Sequence, residues 1–127
     1  MLRRLALVGD SYARDMENAF RQQPFFLRDN NLRVRVFGGG GARLRYLDGS
    51  TFRQQWCDTI CFWGPDLVLI WLGGNDLNRD GVYDEAHIQN SYELHVQLVN
   101  ELRSRLGPHG MQLMIMPVGY DIQRFLS

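Results

Sequence analysis

The sequence lacks a surplus of either charge: 14 basic residues stand against 14 acidic ones over 127 residues. A balanced chain has no electrostatic pull towards nucleic acid or an anionic membrane surface. It also lacks any apolar run approaching the roughly 18 residues that cross a bilayer. The opening Met1-Leu-Arg-Arg-Leu5 reads as too short for a secretory leader, because polar Gly9-Asp10-Ser11 interrupts the apolar stretch. Cysteine is scarce. Cys57 and Cys61 are alone, spaced as neighbours on one helix face. With no further Cys and no close His they make a poor zinc site and a poor disulfide framework, so a reduced, cytoplasmic setting is the default expectation. Internal repeats and low-complexity tracts are missing apart from the glycine run 38–41. Neither G-x-G-x-x-G nor G-x-x-x-x-G-K-[ST] occurs, which sets nucleotide binding aside.

What remains is 45% apolar sequence, enough for the modest core of one domain spanning 1–127. Leu5-Ala6-Leu7-Val8 reads as a short buried strand that turns at Gly9-Asp10-Ser11 into a helix carrying Ala13, Met16 and Phe20. Pro24 and Asp29-Asn30-Asn31 mark a connection. Leu32–Phe37 alternates apolar residues with arginines, the pattern of a strand at or near a sheet edge. Phe52, Trp56 and Ile60 predict a short helix broken at Gly64-Pro65. Asp66–Leu72 is a continuous apolar run, as in a central parallel strand covered on both faces. A long helix follows from near Asp84, with Ile88, Tyr92, His95, Val99, Leu102 and Leu106 as its stripe, and Gly107-Pro108 stops it. Met111–Pro117 predicts a fourth strand.

This βαβαβαβ pattern predicts a parallel sheet with right-handed crossovers and helices on both faces. Ligands of such sheets sit beyond the carboxyl ends of the strands. Three polar or glycine-rich loops converge there: Gly9-Asp10-Ser11, Gly38 to Gly41, and Gly73-Gly74-Asn75-Asp76. Ser11, at a strand-to-helix turn, has a nucleophile's position; as a plain helix N-cap it has an ordinary one. A serine attacking a carbonyl needs oxyanion donors, each worth about 3 kcal/mol of barrier. Its own N–H, a glycine N–H from the second loop and the Asn75 amide are the candidates.

These three blocks resemble the first three motifs of the SGNH (GDSL) hydrolase family, from Leu5 to Pro117 of this chain. The resemblance implies a flavodoxin-like, three-layer α/β/α sandwich and an esterase, lipase or acetyl-hydrolase activity without metal or organic cofactor. It implies Ser11 as nucleophile and oxyanion donor, and Asn75 as a further donor. Gly41, which precedes a small residue, is the glycine donor, with Gly40 the alternative in a run of four. Asp10 orients the Ser11 loop through backbone hydrogen bonds, or simply favours the turn.

The family's last block, Asp-x-x-His after a fifth strand, has no counterpart near Ser127. Asp84-Glu85-Ala86-His87 has the spacing but opens the long helix, where Asp84 serves as a cap and His87 sits in the first turn. His87 is nevertheless a candidate base. His95 belongs to the apolar stripe and His109 to a solvated turn. Arg14 is read as a solvated arginine rather than an anion ligand. The Trp, Phe and Met residues are read as mostly core, not an aromatic ligand cage.

Without a fifth strand, Leu113–Met116 would form an exposed apolar edge. The expectation is a C-terminally incomplete domain, or a partner or second copy covering that edge. The functional expectation is hydrolysis of a small ester. The alternative is an inactive or truncated SGNH-like domain that binds a ligand or protein.

Overall fold

Leu5, Ala6, Leu7 and Val8 are buried on both sides of one strand, and the sheet is built outwards from it. The computed structural model describes residues 2–38, 50–72, 85–107 and 112–115. Along them run β1 (Arg3–Gly9), α1 (Ser11–Arg21), α2 (Pro24–Asp29), β2 (Leu32–Gly38), α3 (Ser50–Trp63), β3 (Leu67–Trp71), α4 (Glu85–Leu106) and β4 (Gln112–Ile115). The four strands pair in parallel in the order β2-β1-β3-β4, the flavodoxin-like order. Leu7 lies in register with Val36 on one side and Leu69 on the other.

Strand alternation divides the core between two faces. Ala6, Val8, Val68 and Ile70 point to α3 and α4, where they meet Cys57, Ile60, Leu94, Leu98 and Leu102. Leu5, Leu7 and Leu69 point to α1 and meet Ala13, with Met16 and Phe20 packed alongside. Helix layers thus cover both faces of the sheet, and the chain is an α/β/α sandwich. β2 is an edge strand, as its arginine alternation implies, with only Phe37 fully buried. Its outer backbone is not left bare: the Val36 N–H donates to Glu17 Oε2 of α1 at 3.1 Å, which blunts an edge open to pairing. Among the described residues no helix is long and apolar enough to cross a membrane.

Three expectations need correction. The connection at Pro24 contains a helix, α2, because proline fits the first helical turn, where its missing N–H is not needed. The stripe of α4 is partly displaced from the expected one. Leu94, Leu98, Val99 and Leu102 are buried, whereas Tyr92 is 63% exposed. Val99, Leu102 and Leu106 of the expected stripe do pack in the core, and Leu94 and Leu98, which the three-four spacing passed over, complete the buried face. Several phenylalanines are not core: Phe25 is 67% and Phe62 96% exposed.

The helix ends follow local rules. Gly64 and Gly107 take positive φ of 70° and 78° directly after α3 and α4, and their N–H groups turn back to the Cys61 and Arg103 carbonyls. Arg105 of α4 also reaches across to the Asp58 carboxylate of α3.

The displaced stripe is testable by equilibrium urea unfolding. Leu98→Ala is expected to cost about 2–5 kcal/mol. Tyr92→Ala is expected to stay within about 0.5 kcal/mol of the parent.

Candidate functional site

At the carboxyl end of β1 the backbone has no room for a side chain. A Cβ on Gly9 would run into the Trp71 carbonyl oxygen and would touch the Ala13 Cβ at 3.0 Å. Gly38, at φ 115°, is pressed in the same way against the Gly9 carbonyl. Three strand ends therefore close on one another here, in the order β2-β1-β3. Glycine is what permits it.

Immediately beyond, the chain turns into α1. Asp10, not Ser11, is the N-cap residue, and the plain capping reading of Ser11 is thereby corrected. The Asp10 carboxylate is 1% exposed and accepts the Tyr12 N–H at 3.0 Å. Its N–H donates to the Trp71 carbonyl at 3.4 Å, and its own carbonyl accepts from Arg14 N–H at 3.3 Å, the first helical bond. Asp10 thus orients the turn through backbone hydrogen bonds and favours it at once, so its two expected roles coincide.

Ser11 is the first residue of α1, half-buried, at the sheet's carboxyl rim. An N-terminal helix turn has N–H groups without helical acceptors. Here Asp10 takes the one from Tyr12, while the Ser11 N–H has no acceptor among the described residues. That donor stands at the positive end of the helix dipole, where negative charge is stabilised. A hydroxyl and an N–H donor on one residue are what an acyl-transfer nucleophile requires.

The residue after Ser11 carries an aromatic ring onto β3. The Tyr12 ring lies on Trp71, the last residue of β3, with centroids 5.1 Å apart and planes 12° from parallel. Tyr12 is 48% exposed and Trp71 half-buried. Trp71 is therefore not the simple core residue expected of it. The usable signal was local: an aromatic directly after Gly-Asp-Ser and a tryptophan ending an aliphatic strand.

The other candidates divide. Arg14 is exposed on the first turn of α1, in keeping with a solvated arginine. Backbone geometry puts His87 in the first turn of α4. That helix leads from the end of β3 back to the start of parallel β4, so its first turn is on the rim side. His95 is two turns further along α4, the helix packed on the sheet face opposite α1, and is not brought to Ser11. Burial lowers its pKa and so favours its neutral form. Gly40, Gly41, Asn75, Asp84 and His109 lie outside the described residues.

Cys57 is buried and Cys61 half-buried, and neither is in a disulfide. Burial raises the Cys61 thiol, against the opposing pull of Arg105, which disfavours a reactive thiolate. Among the described residues no group of three or more His, Cys, Asp or Glu is placed to hold a metal ion.

No family model matches the chain, and no curated protein matches it either. Among solved structures the fold is similar to that of protein YxiM from Bacillus subtilis. The TM-score is 0.53 at 14% identity, over 91% of this chain and 32% of that one. The chain spans about a third of that relative's length. At such identity the likeness extends to the fold alone.

Two measurements probe this site's supports. Asp10→Ala is expected to destabilise the protein by about 1–2 kcal/mol in thermal unfolding, through loss of a buried cap, with Asp10→Asn milder. His95 binds fewer protons folded than unfolded, so its contribution is intact above its ordinary value of 6.5 and is lost on acidification. His95→Gln should therefore lessen the fall in stability between about pH 7.5 and pH 5.5 in urea titrations.

Proposed function

We propose that this chain is a serine hydrolase of the SGNH type, acting on ester bonds of acyl or acetyl groups. Ser11 Oγ attacks the ester carbonyl carbon while its proton passes to a base. The tetrahedral oxyanion is received by the Ser11 N–H, the Gly41 N–H and the Asn75 side-chain amide. Collapse expels the alcohol, which takes up the proton. Water, deprotonated by the same base, then attacks acyl-Ser11; Ser11 Oγ leaves, takes that proton back from the base, and the acid is released. His87, oriented by Asp84, is the assigned base. The chemistry calls on no metal or organic cofactor.

The observation that carries this reading is the state of Ser11. It opens α1 at the carboxyl rim, and its N–H has no acceptor among the described residues, Asp10 taking the neighbouring Tyr12 N–H instead. Further support comes from the strand order. The loops holding Ser11, Gly41 and Asn75 follow β1, β2 and β3, whose carboxyl ends are adjacent.

The rival reading, a binding module without turnover, rests on the unusual place of Asp84-x-x-His87 at the head of α4. One assay separates the two. The purified chain should hydrolyse p-nitrophenyl acetate, and Ser11→Ala should lower kcat by roughly 10³-fold or more. A comparable loss in His87→Ala identifies the base. Parent turnover no greater than that of Ser11→Ala supports the non-catalytic module.

A further inference from the structure

We propose that Tyr12, backed by Trp71, is the specificity wall of this site and selects esters with a planar, apolar acyl group of the benzoyl kind. The inference rests on the ester-hydrolase reading and adds to it the class of substrate.

Tyr12 follows Ser11 directly in the first turn of α1, at the same carboxyl rim of the sheet. One ring face is covered by Trp71 at 5.1 Å and 12°, yet 48% of the residue stays exposed. Its placement is also prepared in advance. The Tyr12 backbone is tied by its N–H to buried Asp10, and the Trp71 backbone is tied by its carbonyl to the Asp10 N–H. Both partners thus hang from one N-cap residue. A ring already held in place loses little further conformational freedom when a ligand settles on it.

The chemistry of the exposed face then decides what it takes. An aromatic face prefers a second flat or apolar group in offset or edge contact, in addition to the area buried. In this proposal the acyl part of an ester held at Ser11 is the group that meets it. Acetyl is too small to cover the ring, and a benzoyl ring matches it. Trp71 adds polarisable surface behind Tyr12 and keeps the ring from swinging away.

The test compares p-nitrophenyl benzoate with p-nitrophenyl acetate, which share a leaving group, on the full chain. The parent, Tyr12→Ala, Tyr12→Leu, Tyr12→Phe and Ser11→Ala are assayed after thermal melts have shown each to be folded. Tyr12→Ala and Tyr12→Leu should lower the benzoate-to-acetate ratio of kcat/KM by roughly 3–10-fold, chiefly through KM for the benzoate. Tyr12→Phe should keep the parent ratio. An unchanged ratio alongside Ser11-dependent turnover overturns the wall and leaves the hydrolase standing. Equal loss on both esters in Tyr12→Ala also overturns it, since a merely structural ring would do that.

If neither ester shows Ser11-dependent turnover, the hydrolase reading fails. Tryptophan emission titrated with methyl benzoate then tests the ring separately. Saturable binding in the parent that Tyr12→Ala weakens supports the wall as a ligand site. Its absence overturns the wall as well.

Discussion

The contact on which this structure depends is the approach of the Trp71 carbonyl to the Cα of Gly9. Any side chain at that position would force β1 and β3 apart at their carboxyl ends. With glycine they close, and the Asp10 N–H comes within hydrogen-bonding reach of the same carbonyl. From that bond follows the turn, and from the turn the direction of α1. One carbonyl oxygen therefore serves both the tight closure of the sheet and the start of the helix bearing Ser11.

Asp10 converts this closure into an electrostatic arrangement. Burying a carboxylate is costly without hydrogen-bond partners, and the Tyr12 N–H is one such partner. In taking it, Asp10 leaves the Ser11 N–H at the helix head without an acceptor among the described residues. The same bond holds Tyr12 where its ring can lie on Trp71. Cap, helix-head donor and aromatic pair are consequences of one buried side chain. The two-faced core behind them, divided between α1 and the α3–α4 pair, supplies the rigidity that keeps these groups in place.

Much of the fold was legible because its signals are local and periodic. The apolar run at 67–72 announces a strand covered on both faces, and it is central in the sheet. The arginine alternation of β2 announces an edge. The stripe of α4 is legible only in its second half, at Val99, Leu102 and Leu106, because a three-four stripe can be drawn through more than one set of apolar residues. Packing against Ile60 and Ile70 chose the set with Leu94 and Leu98, and turned Tyr92 outwards. Helix α2 was passed over because proline both ends and begins helices, and its neighbours at 29–31 read as a turn.

By itself the sequence determined the class of fold, the order of its elements and the residue at the strand-to-helix turn. Hydrophobic period, glycine and Gly-Asp-Ser are properties of neighbouring residues, and backbone sterics act on neighbours. Tertiary structure alone decided that Asp10 rather than Ser11 caps α1, and that Tyr12 lies on Trp71. It also decided that His95 belongs to the face away from Ser11. Each of these depends on which strand lies beside which, and on which sheet face a helix covers. Those relations join residues far apart in the chain, Tyr12 and Trp71 lying 59 positions apart. No local pattern encodes them; they arise when the strands close around Gly9.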